Sequence, residues 1–131
     1  MVFLAMRLMG ISPLKLVNNF PANVPVVFIT SEKDTIVFPE NTQNIANALF
    51  QRGLNDVYVL KLKNSRHPLY AYDDKQDHDT YEAFIHAIYK KYGLAHNAGL
   101  AEKGADLIET CKLTDFTYRS PALKHPASSN Q

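Results

Sequence analysis

Residues 24–92 predict an α/β fold in which two parallel strands are joined by a helical crossover and flanked by helices. Three observations carry this. Residues 24–30 read V-P-V-V-F-I-T and residues 56–63 read D-V-Y-V-L-K-L-K. Short, nearly continuous apolar runs rich in β-branched residues suit strands buried on both faces. Between these runs, Ile45, Ala46, Leu49 and Phe50 recur at helical spacing, and after the second run Tyr81, Phe84, Ile85, Ile88 and Tyr92 do the same.

Each element has its own signals. Residues 1–9, M-V-F-L-A-M-R-L-M, are apolar but interrupted by Arg7. No basic stretch precedes them and no small-residue cleavage site follows, so they read as a buried helix or strand rather than a signal peptide. The string S-P-L-K-L-V suits a helix start, with Ser12 as N-cap and Pro13 at the first helical position. Asn18, Asn19 and Pro21 signal a loop. Pro25 falls near the start of the first strand, where a missing N–H is tolerated. A polar loop over residues 31–39 leads into a helix over 40–52, with Pro39 suited to its first turn and Gly53 to its stop. A long loop spans 64–78. The next helix is expected over 79–92, with Asp79 and Glu82 as a capping box, Lys90 and Lys91 at its C-terminal dipole end, and Gly93 as its stop. Residues 98–113 predict one further helix through Leu100, Ala101, Leu107, Ile108 and Cys111, and the chain beyond Ser120 reads as a disordered tail. These signals divide the chain into residues 1–93 and an extension, 94–131.

Composition excludes several function classes. The 131 residues are 46% hydrophobic and 21% charged, which is globular rather than disordered. Fourteen Lys+Arg against thirteen Asp+Glu leave net +1, so no strong field exists to hold nucleic acid. A single cysteine, Cys111, excludes an internal disulfide framework and a multi-Cys zinc site, and is expected to be structurally buried. Five scattered glycines make no phosphate-cradling loop. No run approaches the ~18 apolar residues of a membrane span, so no membrane insertion is expected and the location reads as cytoplasmic.

Functional groups of an open parallel sheet gather in the loops beyond the carboxyl ends of its strands. The first such loop carries Asp34 and the second His67, 33 residues later. Adjacent strands would bring the two together. A carboxylate beside an imidazole is the acid–base half of a nucleophilic triad: it fixes the tautomer of the ring, which takes the proton of the nucleophile. Glu32 reads as a solvated surface residue. Tyr70 and Tyr72 either line a pocket beside His67 or pack over the loop. Asp73, Asp74, Asp77, His78 and Asp79 are metal-ligating types, but their order lacks the Gly and terminal Glu of a calcium loop. They read as a solvated loop leading into a helix cap. His78 and His86 stand eight apart, not the four of a zinc-binding helix.

The stretch P-V-V-F-I-T-S-E-K-D-T-I-V-F-P-E-N-T, followed by D-V-Y-V-L-K-L and N-S-R-H-P, resembles the C-terminal part of an α/β-hydrolase of the serine esterase or lipase-like kind. The resemblance covers about half the chain. It implies a partial α/β-hydrolase fold comprising the last two parallel strands, with Asp34 as triad acid and His67 as triad base, and it implies no cofactor. Ser31 stands where many members have Gly before the acid, Phe38 where Pro is common, and Arg66 where Gly usually precedes the His.

The family's nucleophile sits on a Gly-x-Ser-x-Gly elbow, and no such motif occurs in these residues. The nearest string, G-I-S-P-L, places Pro13 after Ser12, and proline lacks the backbone N–H an oxyanion hole needs. Only 22 residues separate Ser12 from Asp34. The chain therefore resembles the end of a hydrolase without its beginning, and is expected to hydrolyse no ester or acyl substrate alone. Its expected partners are a missing N-terminal hydrolase half, or a second copy pairing along the strand edge V-V-F-I-T. The alternative is a non-enzymatic α/β interaction module derived from a hydrolase scaffold.

Overall fold

The computed structural model describes residues 2–4, 17–21, 23–37, 39–67 and 72–114. Its centre is a parallel sheet of three strands, β1 (Val2–Leu4), β2 (Val26–Ser31) and β3 (Val57–Leu62), in the spatial order β1-β2-β3. Both expected strands are present. The third is a finding: Val2, Phe3 and Leu4 pair with Val26, Val27 and Phe28, so an N-terminal apolar segment lies along β2. The expected open edge at V-V-F-I-T is thus corrected, because β2 is the central strand. Its burial explains its sequence, since a strand with neighbours on both sides and helices on both faces has no polar face to show.

Helix α1 (Pro39–Gln51) links β2 to β3, and α2 (Lys75–Lys91) follows β3. The alternation of side chains along the strands sorts two cores. Val26, Phe28 and Val57 point to one face and pack with Ile45, Ala46 and Leu49 of α1. Val27, Tyr58, Leu60 and Leu62 point to the other and pack with Phe84, Ile85 and Ile88 of α2. Phe28, Tyr58 and Phe84 are fully buried, and removing a ring of this kind from a packed core costs about 3–5 kcal/mol. A 3₁₀ turn, Val17–Asn19, is held against α1 by Arg52, whose guanidinium donates to the carbonyls of Val17 and Phe20. Gly53, at φ +111°, ends the α1 segment in a conformation other residues rarely adopt.

Two expectations about helix ends are corrected. Helix α2 begins at Lys75, not near Asp79, because Asp74 is its N-cap and accepts from the Asp77 backbone N–H at 3.0 Å. The segment expected as one helix over 98–113 is two, α3 (Ala98–Lys103) and α4 (Ala105–Cys111), which break at Gly104. At Gly104 the backbone runs against α2 so closely that a Cβ would lie 2.0 Å from the Ala83 carbonyl oxygen. Beyond α4, Leu113 is buried, and its N–H donates to the Val57 carbonyl at 2.8 Å while Lys112 bridges Tyr58 in antiparallel sense. Lys112 and Leu113 thus lie along the outer edge of β3. The helix start expected at Ser12, the side chain of Tyr70 and the tail beyond Ser120 fall outside the described residues.

Candidate active site

Strands β2 and β3 run in register from Val26↔Val57 to Ser31↔Leu62, so their carboxyl ends finish side by side. Each then opens into a loop: residues 32–37 carry Asp34, and the chain after Leu62 carries His67. The register alone brings the two loops together.

Asp34 is buried, and its two oxygens have separate tasks. Oδ1 accepts the backbone N–H groups of Ile36 and Val37, each at 2.8 Å, which folds the turn around the carboxylate. Oδ2 faces His67 Nδ1 at 3.0 Å. The Asp34 side chain has no exposed surface, while that of His67 keeps 24% of its own, so the pair joins the interior to the protein surface. A carboxylate can only accept, so Nδ1 donates. The neutral ring is then the Nδ1–H tautomer, with its lone pair on Nε2, the nitrogen able to take a proton from a third group.

Ser31 and Arg66 brace these loops. Ser31 Oγ donates to the Ser65 carbonyl at 2.5 Å, a direct tie between the acid turn and the base loop. Arg66, immediately before His67, forks onto Asp73: Nε to Oδ2 at 2.8 Å and Nη2 to Oδ1 at 2.9 Å, with the Arg66 backbone N–H also on Oδ2 at 3.1 Å. The Arg66 hydrogen bonds hold the Asp73 carboxyl at about 2, well below the usual carboxylate range. Ser31 and Arg66 thus each bring a side chain with a specific partner into these loops.

The acidic residues of the base loop are engaged one by one. Asp73 pairs with Arg66, Asp74 caps α2, and Asp79 pairs with Lys75 at 2.7 Å. Asp77, expected in solvent, is buried and is turned back onto the base loop. Among the described residues, no group of three or more His, Cys, Asp or Glu side chains is arranged to hold a metal ion. No helix among them is long and apolar enough to cross a membrane. Sequence reasoning reached Asp34 and His67 and missed Ser31, Ser65 and Asp77 as the scaffold between them. The one available signal was the spacing of Asp74 and Asp77, which is that of an N-cap and the third helical residue.

A parallel sheet between helices, with a carboxylate and an imidazole in contact beyond adjacent strand ends, has the layout of an α/β-hydrolase. The family model of the prolyl oligopeptidase family, an α/β-hydrolase family, matches residues 6–92. The chain belongs to that family. No curated protein and no solved structure gives a match.

Proposed function

We propose that Asp34 and His67 are the acid and the base of a serine-hydrolase triad whose nucleophile lies outside these 131 residues, and that this chain alone is inactive. The observation that carries the reading is the 3.0 Å contact between His67 Nδ1 and Asp34 Oδ2. In the complete hydrolase a serine attacks the acyl carbon of an ester or peptide. His67 takes its proton at Nε2 and returns it to the leaving group, and Asp34 holds the ring and stabilises the imidazolium. Family membership favours peptide substrates among the esterase, lipase and acyl-peptidase possibilities. In this reading residues 1–93 are the C-terminal segment of the hydrolase domain and 94–131 an extension of it.

The second reading, a non-enzymatic module on the same scaffold, is favoured by one feature. Lys112 and Leu113 lie along β3, so part of an outer edge that a lone domain would leave open is covered. A chimera separates the two. The chain is fused behind a prolyl oligopeptidase-family segment that carries a Gly-x-Ser-x-Gly elbow and ends before its own acid strand. The triad reading expects the unfused chain to be silent towards an active-serine probe. It expects the fusion to react, and His67→Ala or Asp34→Ala in the fusion to abolish the reaction. A folded fusion that stays silent favours the module.

A further inference from the structure

We propose that Asp77, in the first turn of α2, is a positioning residue that holds the loop carrying His67 and thereby sets the His67–Asp34 contact. This rests on the acid–base reading of that pair.

Asp77 is the buried carboxylate that the site has not used. Its oxygens take four hydrogen bonds, all from the three residues that follow β3. Oδ1 accepts the Lys63 N–H at 3.2 Å. Oδ2 accepts the Asn64 N–H at 2.9 Å, the Ser65 N–H at 2.8 Å and the Ser65 hydroxyl at 2.6 Å. Three consecutive backbone donors thus converge on one side chain, two residues before His67. The same Ser65 receives the Ser31 hydroxyl on its carbonyl. A continuous path therefore runs from α2 through Asp77 and Ser65 to Ser31, three residues before Asp34. The helix end is fixed in turn, since Asp74 accepts from the Asp77 N–H and from Asn64 Nδ2 at 3.3 Å.

The chemistry explains why an aspartate serves here. All four partners are donors, and only an ionised carboxyl offers acceptors alone. Burial pushes the Asp77 carboxyl up, but the Ser65 hydroxyl and the N–H groups of Asn64, Lys63 and Ser65 outweigh it and bring it below the usual carboxylate range. Asparagine in the same rotamer keeps one oxygen for part of the loop and turns an N–H₂ towards the remaining donors. Its four hydrogen bonds go to Lys63, Asn64 and Ser65, so its effect on His67 and Asp34 passes through the loop backbone.

The test is hydrogen exchange by NMR on the full chain labelled with ¹⁵N, reading His67 Nδ1–H and the amides of Asn64 and Ser65 against the core amides of Phe28 and Leu60. Asp77→Ala is expected to speed exchange at His67 Nδ1–H and at the two loop amides by about tenfold or more relative to the core amides. Asp77→Asn is expected to recover part of that protection. Asp79→Asn, which removes an exposed carboxylate on the same helix, is expected to change none of it. A merely structural role would speed all amides together, so the ratio to the core amides separates the two. Unchanged His67 Nδ1–H protection in a folded Asp77→Ala variant overturns the inference and leaves the acid–base reading intact. A wild-type ring protonated on Nε2 instead of Nδ1 overturns that reading, and the role of Asp77 falls with it.

Discussion

Replacing Asp34 separates the two tasks of its carboxylate. Asp34→Ala removes the acceptor of three donors: Ile36 N–H, Val37 N–H and His67 Nδ1. Ile36 is 63% exposed, so its N–H recovers water at little cost. Val37 is buried, and an unmade buried N–H costs about 1–3 kcal/mol. The partly exposed His67 contact, discounted for solvent screening, adds about 0.5–1 kcal/mol. The sum is roughly 2–4 kcal/mol for alanine. Asp34→Asn keeps an oxygen for both turn N–H groups and loses only the carboxylate towards His67, so it should cost under about 1 kcal/mol. Urea unfolding followed by far-UV circular dichroism reads both. With a slope of about 1.5 kcal/mol/M, the alanine midpoint falls by about 2 M and that of asparagine by less than about 0.7 M. Equal losses for the two variants, or an alanine midpoint within about 0.3 M of wild type, would refute the assignment of the stability to the turn.

Three further outcomes follow from the same structure. Gly104→Ala drives a Cβ into the backbone of Ala83, which cannot yield as a side-chain tip would, so α3 and α4 must lift from α2. A loss of at least about 2 kcal/mol in urea unfolding is expected, and a change below about 0.5 kcal/mol would show that the turn relaxes freely. The folded Asp77 carboxyl lies below its unfolded value, so the folded state binds fewer protons there. Its contribution to stability is complete above the unfolded value of about 3.9 and is lost as pH falls through the folded one. Asp77→Asn should therefore flatten the acid limb of stability against pH, and an unchanged limb would count against the network. Burial, reinforced by the Tyr92 hydroxyl at 2.8 Å, pushes the Tyr58 hydroxyl up. Stability should fall as pH rises past about 10, where the unfolded phenol ionises and the folded one does not. Phenolate absorbance that accounts for every tyrosine by pH ~11 in the folded chain would contradict this.

The sequence reports most clearly where one physical cause dominates. The runs around Phe28 and Tyr58 are continuous because both faces of each strand are covered, and that cause is visible in composition alone. Asp34 and His67 were reachable for a similar reason, since both lie just past strand ends that must finish side by side. Val2–Leu4 was ambiguous because a short apolar run fits a strand or a buried helix equally until its partner is known. Helix α2 started earlier than expected because Asp74 and Asp79 are both competent caps, and the choice was made by the base loop binding Asp77. Gly104 read as an ordinary position in a helical pattern, and its break is imposed by the approach of Ala83. Ser31, Ser65 and Asp77 stayed hidden because their connection spans 34 and 12 residues of chain, a separation that local spacing does not encode.

The central claim is that Asp34 orients His67 through Nδ1 and so leaves Nε2 as the basic nitrogen. Ring ¹⁵N chemical shifts of His67 in the wild-type chain, recorded above neutral pH, test it most directly. The account predicts the Nδ1–H tautomer in the wild type and a change of tautomer in Asp34→Asn, whose amide can donate to Nδ1. A wild-type ring protonated on Nε2, or a tautomer that ignores the loss of the Asp34 carboxylate, would contradict it.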